Sequence, residues 1–292
     1  MDATGPAREV VVGVDGSADS ERAADWAASE ARRRGCRLRV LHATGTGPEP
    51  PRPAPRNNGY RHTVRAARAL LDDARHRVAA GHPGLCVETT LTTDDPEGPL
   101  LAAAEGAELL VLGTRGRGGF STLLLGSVGL RVASHVTCPL VVVRGRAVRE
   151  PARRVVAGVQ DVRDAEAVLF AAETAARWRA GLLALHAWEP VSEVGHLVPR
   201  VDTVRELRHE HVRSLLQSLT AAEVTARVPG LRVEREVVDG GAAAALVDAS
   251  ARADLLVVAA HRPRTPTGLR LGPVAHAVLH HARCPVAVVP DR

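Results

Sequence analysis

Short runs of Val and Leu alternate along this chain with longer stretches in which small apolar residues recur every three or four positions. In the first half the apolar runs fall near 9–14, 37–43, 85–91, 108–112 and 139–144. Continuous runs of this length are the pattern of parallel strands covered on both faces. The stretches near 20–34, 61–81, 97–105 and 127–135 read as helices; Ala23, Ala24, Ala27, Ala28 and Ala31 put one small apolar face on the first of them. Strand and helix in strict alternation predict an α/β fold, a doubly wound five-stranded parallel sheet with right-handed crossovers.

The whole pattern occurs twice. Leu38-Arg-Val-Leu-His-Ala43 returns as Leu182-Leu-Ala-Leu-His-Ala187, and Glu108-Leu-Leu-Val-Leu-Gly113 as Asp254-Leu-Leu-Val-Val-Ala259. His135-Val-Thr-Cys-Pro-Leu-Val-Val-Val143 returns as His281-Ala-Arg-Cys-Pro-Val-Ala-Val-Val289. An offset that holds between 144 (Leu38 to Leu182) and 146 (Glu108 to Asp254) means a duplicated domain. Two tandem Rossmann-like domains are therefore expected over 1–146 and 153–292, joined by a charged linker with Gly and Pro at 144–152. One segment breaks the rhythm. From Thr44 to Tyr60 there are five prolines, too many for helix or strand. It reads as a passive surface connection or as a lid, with a counterpart near 189–200.

Composition narrows the chemistry. All 38 basic residues are Arg; the chain has no Lys. That excludes a Walker A lysine, a Schiff base and a lysine base, so a phosphate site must use backbone amides, hydroxyls, Arg or a metal. The net charge of +5 invites a nucleic-acid reading, but the Arg residues are scattered and aromatics are 2%. The stacking platform that usually accompanies a basic groove is missing, and nucleic-acid binding is set aside. Cys36, Cys86, Cys138 and Cys284 lack zinc spacing; Cys138 and Cys284, each before a Pro, read as buried thiols, with no disulfide expected. No apolar run approaches the roughly 20 residues that span a bilayer, and the opening MDATGPAREV lacks a signal-peptide core. A cytoplasmic protein without membrane contact is expected.

Open α/β sheets bind ligands outside the carboxyl ends of the strands, where the winding reverses. Here that crevice falls between the first and fourth strands. The segment running there is Gly113-Thr114-Arg115-Gly116-Arg117, followed after eight more residues by Gly126-Ser127. Gly113 and Gly116 let the backbone turn without a Cβ and bring amides close to a phosphate. Ser127 is expected to cap the next helix, whose free amides and dipole favour an anion. The dipole alone supplies about 0.3–1 kcal/mol, so Ser127, Arg115 or Arg117 and several amides must act together. The residues alone thus indicate an anion or nucleotide site.

The spacing Gly113-x2-Gly116-x9-Gly126-Ser127 resembles the ATP-binding signature of the universal stress protein family. The opening Val11-Val-Gly-Val-Asp-Gly-Ser17, the strand end Leu41-His-Ala43 and the Cys138-Pro-Leu-Val-Val-Val143 ending are similar to that family too. The likeness spans nearly the whole chain, in the family's two-domain form. It implies that Gly13, Asp15 and Ala43 surround adenine and ribose. It implies that Gly113, Gly116, Gly126 and Ser127 hold ribose and phosphates, with Mg2+ bridging the phosphates. It also implies pairing through last strands, here 140–144 with 286–289, making the monomer a pseudo-dimer able to form a homodimer. Asp15 keeps an alternative role as a turn or cap residue. His42 and His186 read as packed strand ends, and His135 and His281 as cations suited to helix carboxyl ends.

The second copy replaces Asp15 by Gln160, Gly113 by Ala259, Gly116 by Arg262 and Ser127 by Pro273; Gly126 survives as Gly272. A Cβ at 259 and a long side chain at 262 are expected to crowd a phosphate, and Pro273 offers neither hydroxyl nor amide. One adenine nucleotide per chain is therefore expected. The leading reading is a stress-response or signalling module that responds to ATP. A slow ATP hydrolase or nucleotide-transferring enzyme is the alternative, although no catalytic residue, Ser-His-Asp order or paired carboxylates are recognised.

Overall fold

The computed structural model describes residues 8–49, 57–116, 125–145, 152–188, 201–261 and 271–291. They divide into two compact units, one ending at Arg144 and the other starting at Gly145.

The first unit runs β1 (Glu9–Gly13), α1 (Ala18–Arg34), β2 (Arg37–Ala43), α2 (Asn57–Gly81), β3 (Val87–Thr92), α3 (Glu97–Ala104), β4 (Leu109–Gly113), α4 (Ser127–His135) and β5 (Leu140–Val143). Its strands are parallel in the order β3-β2-β1-β4-β5. Strands β1, β4 and β5 are Val and Leu because both their faces are covered. Val10, Val11, Val12, Leu109, Leu110, Val111, Leu140, Val141 and Val142 are fully buried, each contributing roughly 1.5–3 kcal/mol of transfer energy. The edge strand β3 carries Glu88, Thr89 and Thr90 and is half exposed. Helix α1 starts where the Ser17 hydroxyl accepts the Ser20 amide and stops at Gly35, whose φ of 64° suits glycine. Its predicted alanine face is fully buried and lies on β1 and β4. Within the same helix Glu30 is buried against Arg34, 2.7 Å away.

The second unit repeats the plan: β6 (Arg154–Gly158), α5 (Ala165–Trp178), β7 (Gly181–Trp188), α6 (Val201–Thr220), β8 (Val233–Asp239), α7 (Ala242–Ser250), β9 (Leu255–Ala260), α8 (Pro273–His281) and β10 (Val286–Pro290). Its order is β10-β9-β6-β7-β8, again parallel. Two details depart from the first copy. A 3-10 turn, Val162–Asp164, precedes α5, and Arg179 takes the left-handed conformation (φ 54°) that Gly35 takes after α1.

The doubly wound α/β architecture expected from the pattern is thus present in each unit. One boundary is corrected. Residues 57–60, expected to be loop, are the first turn of α2, since the last proline is Pro55 and nothing beyond it breaks a helix. The start of the same segment is pinned, not trailing: Thr44, Gly45 and Gly47 donate amides to the carbonyls of Thr92, Asp94 and Thr93. The rest of its Pro-rich stretch, 50–56, and its counterpart at 189–200 lie outside the described residues. No described helix is long and apolar enough to cross a membrane.

Candidate functional site

In the first unit β1 pairs with β2 on one side and β4 on the other, so the winding reverses between β1 and β4. The segments leaving these two strands meet there. After β1, Asp15 Oδ1 accepts the Ser17 amide at 3.0 Å, with Gly16 at φ 79° making the turn possible. After β4, Thr114 is buried and its carbonyl accepts the Gly126 amide at 2.9 Å. That bond closes the neck of the loop, and fully buried Leu125 anchors its far side.

The two segments are also tied to each other. The Ser17 hydroxyl donates to the Arg115 carbonyl at 3.0 Å. Asp19, in the first turn of α1, accepts from the Thr114 hydroxyl at 2.5 Å and lies 3.6 Å from the Arg115 guanidinium; it also pairs with Arg22. A Cβ on Gly116 would stand 2.4 Å from Asp15 Oδ2. A Cβ on Gly113 would stand 2.7–2.9 Å from the backbone of Asp19 and Ser20. On Gly13 it would meet the Leu112 and Leu100 side chains at 2.7 and 3.0 Å.

Asp15, Thr114, Arg115, Gly116 and Gly126 are thus brought together at the reversal, with Gly13 and Gly113 ending the two strands that lead to it and Ser127 following Gly126. Ala43 ends β2, two residues past Leu41, the β-partner of Gly13. Arg117 lies outside the described residues. Asp15 fills the turn role with one oxygen, and its other oxygen lies beside Gly116. His42 is a structural strand end: its Nδ1 donates to the Val14 carbonyl at 2.6 Å, and His186 does the same to Val159 at 2.8 Å.

Three expectations about the loop need correction. Ser127 is not the cap of α4; Gly126 is, with extended backbone and no side-chain cap bond. Ser127 is the first helical residue because the chain has already turned at Gly126 to reach Thr114. For the same reason the Gly126 amide is not free to meet an anion. The amides that α4 presents without an intrahelical partner are those of Ser127, Val128 and Gly129, since Leu130 already donates to Gly126. Finally, neither Gly113 nor Gly116 has a positive φ. Gly113 is the last residue of β4, and its missing Cβ makes room for the first turn of α1, not for a turn of its own. The residues that sequence reasoning passed over are Asp19 and the Ser17 hydroxyl. Their only local signal was that of a first-turn acid and a helix cap.

At the same place in the second unit a carboxylate stands where the first has the Ser20 hydroxyl. Asp164, 2% exposed, turns its carboxylate inward. It accepts the amides of Gln160 (2.5 Å) and Asp161 (3.1 Å) and pairs with His261 Nε2 at 2.9 Å. The loop amides are thus already served by an anion belonging to the chain. Beside it the Arg163 guanidinium hydrogen-bonds Asp161 and holds that carboxyl below its usual range. Pro273 starts α8 without an amide, leaving two unpartnered amides where α4 has three. Arg262, the residue expected to crowd this site, lies outside the described residues. A cleft of about 280 Å³ in this unit lies elsewhere, between α7 and the sheet face, over Val156, Leu183, Leu185 and Val238. In the first unit Arg39 stands at the position of Leu183 and reaches Glu9 at 3.0 Å.

A phosphate group fits the first site on these observations: Gly116, the three α4 amides without an intrahelical partner and the Arg115 guanidinium all belong to the segments at the reversal. Among the described residues no group of three or more His, Cys, Asp or Glu could hold a metal ion by itself.

A sequence model of the universal stress protein family matches residues 6–144 and again residues 151–290. A universal stress protein of Mycobacterium tuberculosis (strain H37Rv) is 35% identical over 291 residues, covering 96% of each chain. One from Mycolicibacterium smegmatis is 30% identical over 294 residues, covering 97% of each. The crystal structure of a universal stress protein from Archaeoglobus fulgidus has the same fold, with a TM-score of 0.71 at 17% identity over 98% of this chain and 100% of that one.

Proposed function

The chain belongs to the universal stress protein family, and from that premise we propose that its first unit binds one adenine nucleotide, ATP, as a stress-response or signalling module. The observation that carries this reading is the cradle at the β1–β4 reversal. There Gly116 packs its bare Cα against the Asp15 carboxylate, in the loop that leads to the α4 amides without an intrahelical partner. Adenine and ribose lie by Gly13, Asp15 and the end of β2 at Ala43. The phosphates lie over Gly116, Ser127 and the α4 amides, with Arg115 and Arg117 supplying charge. Mg2+, where bound, is held chiefly by phosphate oxygens.

The second unit takes no nucleotide in this reading, because Pro273 removes an amide from the start of α8 and the buried Asp164 carboxylate at the reversal repels an anion. Mass spectrometry of the purified chain under native conditions, followed by calorimetry with ATP and Mg2+, tests the proposal. One bound nucleotide per chain, lost in Gly116→Ala and Asp15→Ala, is expected. No mass increment and no heat would end the proposal, and two equivalent sites would end its assignment to one unit.

A further inference from the structure

The tie between α1 and the loop after β4 is more elaborate than packing needs. Asp19 takes the Thr114 hydroxyl and faces Arg115, while Ser17 holds the Arg115 carbonyl. Asp19 is only 12% exposed at its side chain. Thr114 in turn holds Gly126 and so sets the start of α4.

A chain of hydrogen bonds therefore runs from the first turn of α1 through Thr114 to Gly126, the residue just before the α4 amides. In the second copy a buried acid is spent differently: Asp164, the counterpart of Ser20, serves the Gln160 and Asp161 amides. In the first copy the Ser20 hydroxyl takes the matching Asp15 amide. Asp19 instead reaches across to the loop.

Resting on the reading that the first unit binds a nucleotide, we propose that Asp19 is a positioning residue for the polyphosphate, acting through Thr114. It fixes the loop neck before the ligand arrives and does not touch the nucleoside. The sign of the effect is diagnostic. A carboxylate close to a phosphate site repels the ligand, so Asp19→Asn would tighten ATP binding if charge alone mattered. A positioning role demands the opposite.

Calorimetry with ATP and with adenosine on wild type, Asp19→Asn, Thr114→Val and the double variant separates these outcomes. ATP affinity should fall about tenfold in each single variant, the loss expected for a hydrogen bond to a charged group. Adenosine affinity should stay within about twofold. The double variant should lose no more than the worse single one, because both break the same link. Unchanged or tighter ATP binding in Asp19→Asn, or an equal loss for adenosine, overturns the proposal.

Hydrogen exchange at Gly126 gives a readout without ligand. Its amide, protected by Thr114 in wild type, should exchange about tenfold faster in Asp19→Asn, and unchanged protection would refute the link. A wild-type chain that binds neither ligand would instead refute the nucleotide reading, leaving the exchange result to decide the role of Asp19.

Discussion

Two glycines of the same loop are predicted to behave oppositely when each receives a single methyl group. In Gly113→Ala the new Cβ meets the carbonyl carbon of Asp19 at 2.7 Å, its oxygen at 2.8 Å and the Ser20 amide nitrogen at 2.9 Å. All three are backbone atoms in the first turn of a helix whose opposite face is buried, so relief requires moving either α1 or the end of β4. Forcing a methyl group into packed structure costs about 1–3 kcal/mol. Because φ at 113 is not positive, Ala recovers about 0.4–1 kcal/mol by restricting the unfolded chain. The net loss is therefore about 0–2.6 kcal/mol and centres near about 1.3 kcal/mol, which for a unit of this size lowers Tm by about 2–4 °C per kcal/mol.

In Gly116→Ala the Cβ stands 2.4 Å from Asp15 Oδ2 but 3.5 Å from its Cγ. Rotation of that carboxylate relieves the clash at little cost. Stability should stay within about 0.5 kcal/mol of the parent, while Asp15 loses the pose that the site requires. Scanning calorimetry with and without ATP measures both quantities on the intact chain. The expected result is a lowered transition for Gly113→Ala, and for Gly116→Ala a near-normal transition that ATP no longer raises. Equal destabilisation by the two, or a Gly113→Ala melting within a degree of the parent, would show that the cradle is not built as described.

Further outcomes follow from the second unit and the thiols. Asp164→Ala leaves two loop amides and His261 without their buried carboxylate; at about 1–3 kcal/mol per stranded group, a loss of about 3 kcal/mol is expected in urea unfolding. ATP affinity should be unaffected, and a neutral Asp164→Ala would refute the claim that this carboxylate seals the second site. Burial pushes the Cys138 thiol from 9.0 up to about 12. The neutral form is the one the folded state favours, so this contribution to stability is complete below about pH 9 and is lost as pH rises toward 12. Melting between pH 8 and about 11 should be less pH-dependent in Cys138→Ala, and identical slopes would refute it. Cys86 is exposed while Cys36, Cys138 and Cys284 are buried, so a thiol reagent should label one site rapidly, at residue 86, in the native chain; fast labelling of all four would contradict the packing.

Much of this fold is legible because its signals are local and repeated. The inner strands need apolar side chains on both faces, so they show as unbroken Val and Leu runs, and the second copy supplies an independent reading of each. The edge strand β3 was recognisable only by its place in the alternation, since Glu88 and Thr89 face water. The position of the site was legible for a topological reason: once five strands wind in this order, the segment after β4 must lie at the reversal. What could not be read is what depends on atoms far apart in the chain. Nothing near Gly126 announces that its amide is spent on Thr114, twelve residues earlier, and so the cap was assigned to Ser127. Nothing near Gly113 shows that α1 passes within 3 Å of where its Cβ would stand.

One position separates the two copies. Ser20 and Asp164 are both buried, and each takes the amide of the residue two places past the first strand of its unit, Asp15 and Gln160. The buried faces of the two helices keep the same register, Ala23, Ala24, Ala27 and Ala28 in α1 answering Ala167, Val168, Ala171 and Ala172 in α5. A buried amide left without a partner is costly, and a hydroxyl and a carboxylate are two ways of serving it. The first copy does so without a buried charge; the second brings a carboxylate to the reversal. Substituting Ser20→Asp in the first unit should accordingly set a second carboxylate beside Asp15 and weaken ATP binding in calorimetry. Unweakened binding would show that a carboxylate at this position does not close the second site to a nucleotide.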